Sequence, residues 1–191
     1  MMKLKLYTGV LLLLVISSFP NLLSAQYVNV SAPLYSEILE KVEKEAEING
    51  RYMAGVIIES EMDFFEFASF EVLENGISEW VLDIESTYAM GLCVYFNDFH
   101  IPIGGSLFFE SQAEFSSTIF QEGPVRSDEN NNHGRWASGD IPGDVIRIIY
   151  RQPFSSIGTA RLGIMGVGYF VKGVARGSDD CEVDVMCPEG D

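Results

Sequence analysis

From Arg51 onward the chain repeats with a period of two, and no other feature restricts its fold as strongly. Trp80, Leu82 and Ile84 alternate with Val81, Asp83 and Glu85, and Leu92, Val94 and Phe96 follow the same rhythm. Ile146, Ile148 and Tyr150 alternate with Arg147 and Arg151, and Leu162 and Ile164 carry the pattern towards Phe170. Successive side chains of a strand point to opposite faces, so each run reads as a half-buried β-strand. Turn chemistry separates the runs: "ENGI" at 74–77 is an Asn-Gly hairpin signal, "PIGG" precedes "SLFFE", and "IPGD" precedes "VIRIIY". Short strands at this spacing predict a mainly β fold, an antiparallel β-sandwich of about eight or nine strands.

A helical segment precedes the alternating region. Leu34, Ile38, Val42 and Ala46 recur every fourth residue, Ser31 can cap the start, Pro33 suits the first turn, and Asn49-Gly50 supplies the stop. The amphipathic helix either packs on a neighbouring sheet or is a mobile leader.

The amino end addresses the compartment. Lys3 and Lys5, the apolar run "LYTGVLLLLVISSF" and the small-residue ending "PNLLSAQ" have the layout of a secretory signal peptide, residues 1–25, with cleavage between Ala25 and Gln26. A membrane anchor fits less well, since the run is shorter than the ~20 residues a spanning helix needs. The expected location is therefore periplasmic or extracellular, with no membrane span after signal removal. Loss of the two lysines takes the net charge from -16 to -18 over the remaining 166 residues. Such a surface repels phosphate backbones, so nucleic acid is a poor partner.

Residues suited to catalysis are few. The chain has two histidines, His100 in "NDFHIP" and His133 in "SDENNNHGRW", and neither adjoins a nucleophile motif. Asp128, Asn130 and Asn132 reproduce the first three ligand positions of a calcium loop, but His133 stands where the turn glycine belongs and Gly139 where the closing glutamate belongs. A polar loop is the better reading. Cys93, inside the strand "GLCVYF", reads as a small buried hydrophobe. The cluster "FFEFASF" is rich enough for a sugar platform, although a sandwich would place most of its rings in the core. No catalytic, cofactor-binding or metal site is assigned, and the chain is not expected to be an enzyme by itself.

The last eleven residues, "CEVDVMCPEGD", carry the sharpest signal. Through Cys181, Asp184, Val185, Cys187, Pro188, Glu189, Gly190 and Asp191 they resemble the start of the mature catalytic domain of secreted bacterial trypsin-like serine endopeptidases of the lysyl-endopeptidase type. The upstream stretches "WVLDIES" (80–86), "FNDFHIPIGGSLFFE" (96–110), "IPGDVIRIIY" (141–150) and "LGIMGVGYFVKG" (162–173) are more loosely similar to the amino-terminal region of the same precursors. Together the resemblance covers roughly residues 51–191.

The resemblance implies that Cys181 and Cys187 pair with cysteines deeper in a catalytic domain. Its Ala-His-Cys and Gly-Asp-Ser-Gly motifs do not occur in this chain. Without such partners the two thiols, disulfide-competent in an oxidising compartment, could bridge locally, pair between chains or stay reduced. The resemblance further implies cleavage after a basic residue shortly before Cys181. Arg176, at its bond to Gly177, is the first choice and Lys172 the second. The expected organisation is a signal peptide (1–25), a leader with the helix (26–50), a β-sandwich pro-domain (51–172), and a processing linker with a protease stub (173–191). The expected function is that of a folding assistant or inhibitor of an adjoining trypsin-like protease domain. The alternative is a stand-alone secreted β-sandwich for adhesion or glycan binding.

Overall fold

In the computed structural model, residues 26–50, 53–112, 120–156 and 158–172 are described. The expected signal segment with Ala25, and Arg176, Gly177, Cys181 and Cys187, lie outside them. The elements run β1 (Gln26–Asn29), α1 (Tyr35–Asn49), β2 (Gly55–Asp63), α2 (Phe64–Phe67), β3 (Ser69–Val72), β4 (Ile77–Glu85), β5 (Gly91–His100) and β6 (Ser106–Ser111). There follow β7 (Gln121–Val125), β8 (Trp136–Ala137), β9 (Ile141–Pro142), β10 (Val145–Pro153) and β11 (Arg161–Phe170).

The protein is mainly β, with two sheets. A six-stranded sheet has the order β1-β4-β10-β6-β7, with β3 also on β4, and a five-stranded sheet has the order β2-β11-β5-β8, with β9 also on β5. Among the described residues every pairing is antiparallel except β1 on β4. The 11 strands of the described residues exceed the expected eight or nine. Part of the excess is β8 and β9, two residues each, too short to show a period.

The alternation does what it predicts. Leu82, Ile84, Ile146, Ile148, Tyr150, Leu107 and Phe109 of the larger sheet are fully buried, and so are Leu92, Val94, Leu162, Val167 and Tyr169 of the smaller one. The sheets meet through rings: Phe109 of β6 stacks on Trp136 of β8 at 5.6 Å, and Trp136 stacks on Phe99 of β5 at 5.0 Å. Each large apolar side chain removed from water contributes about 1.5–3 kcal/mol, and a ring pair adds about 0.5–1.5 kcal/mol.

Three local expectations need correction. Helix α1 starts at Tyr35 rather than beside Ser31, with the Leu34 carbonyl accepting the amides of Glu37 and Ile38. The preceding backbone is held extended, because Val30 N–H donates to Glu85 O and Ser86 Oγ donates to Val30 O. The helix buries Ile38 and Val42 in the core, which is the packed one of its two expected alternatives. Within "FFEFASF", Asp63 accepts the Phe65 amide and starts the single turn α2, which buries Phe64 and leaves Phe67 at the surface. Finally, the alternation of β11 does not run unbroken to Phe170. A bulge at Met165 exchanges the faces, so that Leu162 and Ile164 point inward before it, and Val167 and Tyr169 after it.

The turn at 73–76 is the expected hairpin with a different geometry. Only Gly76 takes positive φ (77°), Asn75 Oδ1 accepts the Ile77 amide, and Gly76 N–H donates to Leu73 O. This is a type I turn closed by a glycine bulge rather than the mirror-image turn, which needs two positive φ values.

Candidate functional site

A concavity of the described surface lies beside the bulge in β11. Past Met165, Gly166 and Gly168 fall on the outer face of the five-stranded sheet, between Glu59 and Ile57 of β2 and Tyr95 and Cys93 of β5. A trough lies beside Gly168. Its volume is about 370 Å³, and Lys41 of α1, Met53, Ile57, Tyr95, Gly168 and Phe170 contribute to its lining. A Cβ built on Gly168 would collide with Cys93 Sγ and lie 3.3 Å from Tyr95 Cε2 and 3.6 Å from Phe170 Cζ. Two rings and a thiol thus converge on one glycine.

The trough is apolar and its titratable floor is held neutral. Burial pushes the Cys93 thiol up from 9.0, against a hydrogen bond with Tyr95 that pulls it down. Burial, together with that same bond, pushes the Tyr95 phenol up from 10.0. Cys93 is 2% exposed, as its strand context predicts, so its thiol is a packing atom rather than a nucleophile. Lys41 contributes to the lining, and Glu59 pairs with Gly166 on the flanking strand. Among the described residues Lys41 makes no ion pair, whereas Arg147, Arg151 and Arg161 each bind a carboxylate.

The histidines are far less organised. His100 ends β5 opposite Arg161, and His133 is an exposed loop residue whose amide donates to Asn131 Oδ1. Among the described residues neither ring is joined to a serine hydroxyl or a carboxylate. The asparagine loop is tied to protein backbone. Asn130 Oδ1 accepts from Ile101 N–H at 2.8 Å, Asn130 Nδ2 donates to Ile101 O at 2.7 Å, and Asn131 Nδ2 donates to Arg135 O. Those amides fasten the loop to the end of β5, which is why the first half of a calcium pattern occurs here. Among the described residues no group of three or more His, Cys, Asp or Glu side chains could hold a metal ion.

The chain leaves the sandwich beside the trough. Val171 N–H and Lys172 N–H both donate to Ala54 O, at 3.0 and 3.2 Å, just before β2 begins. Lys172, the second-choice processing residue, is therefore tied by its own amide to the sheet, and Gln26 opens β1 beside Leu82. Among the described residues no helix is long and apolar enough to cross a membrane. The trough itself was not legible in the sequence, because its glycines reach the outer face only through the bulge. No family model matches the chain, and no curated protein matches it either.

Proposed function

We propose that the sandwich is the non-catalytic amino-terminal domain of a secreted serine endopeptidase precursor, exported by its signal peptide. In this reading it assists the folding of an adjoining trypsin-like protease domain, or holds that domain inactive. The observation that carries the reading is the order of parts. The last core strand ends at Phe170, and two amides clamp the chain to Ala54. Every residue of the protease-like "CEVDVMCPEGD" pattern lies downstream of that clamp. The clamp also favours Arg176 over Lys172 for processing, since a protease needs a freely extended backbone around the cut bond.

One observation favours the competing reading of a stand-alone adhesion or glycan-binding module. Phe154 and Tyr88 are 97% and 78% exposed, as rings offered to a ligand would be. The test is the intact mass of the native polypeptide in secreting cells. A product longer than 191 residues that reacts with a serine-directed probe supports the precursor reading. A native product that ends at Asp191 contradicts it and restores the module.

A further inference from the structure

We propose that the trough on the outer face of the five-stranded sheet is a binding site for a small amphipathic carboxylate, an acid joined to one aromatic ring or a short alkyl chain. The inference does not depend on the precursor reading.

Shape limits the apolar part of the ligand. About 370 Å³ lies near the low end for small-molecule sites and suits a ring with a short chain. The ring would lie in the trough, with Ile57 on one side and Tyr95 and Phe170 on the other. Ile57 is an unusual residue to leave 57% exposed on an edge strand whose other outward positions are Glu59, Glu61 and Asp63. An apolar occupant of the trough would cover it.

Charge defines the other end. Among the described residues the only cation lining the trough is Lys41, and it makes no ion pair there. A single ammonium suits a single carboxylate, whereas a phosphate would call for a guanidinium fork or several donors.

The test uses the full chain and a matched probe pair, 3-phenylpropanoate and its neutral amide, followed by amide NMR shifts at low salt. The account predicts saturable shifts at Ile57, Gly168 and Phe170, with the acid binding about threefold more tightly than the amide, as expected of one exposed ion pair. Lys41→Gln brings the acid to the affinity of the amide, while Lys44→Gln, on the same helix, leaves the difference intact. Ile57→Glu, at an exposed position, abolishes binding of both probes while core resonances stay in place. The absence of shifts at millimolar probe overturns the proposal. So does equal binding of acid and amide to the unmodified chain, or a preference for the acid that survives Lys41→Gln.

Discussion

The two outer faces of this sandwich meet water in opposite ways. On the six-stranded sheet the face is a ladder of charge pairs across neighbouring strands. Arg147 grips Asp83 with two bonds of 2.7 Å, Arg151 reaches Glu79 at 2.5 Å, and the Arg151 guanidinium lies 5.3 Å from the centre of the Phe108 ring. The Asp83 carboxylate raises the affinity of Arg147 for its proton above the ordinary arginine value. On the five-stranded sheet the corresponding positions are Gly166, Gly168, Cys93, Tyr95 and Ile57, with no ion pair among them. The cores beneath obey one rule, apolar side chains at alternate positions. What differs is whether the outer positions carry paired charges or glycines overlain by neighbouring side chains.

The largest effect is expected where a half-buried pair is split. The Asp83 side chain is 9% exposed and that of Arg147 is 33% exposed, so Asp83→Ala leaves a guanidinium poorly hydrated. Urea unfolding should show a loss of about 2–3 kcal/mol, below the range for a fully buried pair because Arg147 keeps part of its water. Replacing both partners by apolar residues of similar size should recover most of that loss. If the double variant is as unstable as the single one, the ladder is more than a neutralised pair.

The glycine face should resist added bulk. Gly168→Ala drives a methyl group against Cys93 Sγ, and overpacking of this kind costs about 1–3 kcal/mol. Cys93→Ala in the same chain removes the obstructing sulfur, so the double variant should be more stable than Gly168→Ala alone, and a purely additive result would contradict the packing described.

Alkali should affect the two faces unequally. Burial holds the proton on Cys93, Tyr95 and Tyr150 above the ordinary 9.0 and 10.0. The unfolded chain releases those protons first, so stability is fully present below about pH 9 and falls as pH rises beyond it. The urea midpoint should be lower at pH 10.5 than at pH 8, and Cys93→Ala should flatten the first part of the fall. A midpoint that rises with pH would contradict the burial of these groups.

The smallest effect belongs to the pair Arg161–Asp98, whose side chains are 54% and 56% exposed. Arg161→Gln should change stability by less than about 0.5 kcal/mol and leave 3-phenylpropanoate binding unchanged.

These faces also mark where the sequence was legible. Alternation at Leu82, Ile84, Ile146 and Ile148 fixed the inner face of the larger sheet, because a strand buried on one side has no other way to hide its apolar residues. The helix could be read from Ile38 and Val42, and its stop from Gly50, which takes positive φ. Strand β1 could not be read: four residues give no period, and its partner Leu82–Glu85 is 56 positions away. The trough was hidden for a different reason. Gly166 and Gly168 share parity with Leu162 and Ile164, so unbroken alternation would have placed them in the core. One extra residue at Met165 reversed that, and nothing local in "GIMGVG" announces it.

Amino-terminal sequencing of the processed product from secreting cells tests the proposal that this sandwich is the front of a protease precursor. The expected new terminus reads Gly-Ser-Asp-Asp, from cleavage between Arg176 and Gly177, with the sandwich released upstream of it. Arg176→Gln should abolish that terminus and Lys172→Gln should leave it unchanged. A terminus after Lys172, within the segment clamped to Ala54, would mean that the clamp opens and the site is misassigned. Recovery of the sandwich and the "CEVDVMCPEGD" segment in one uncut polypeptide, with no protease domain attached, would contradict the claim itself.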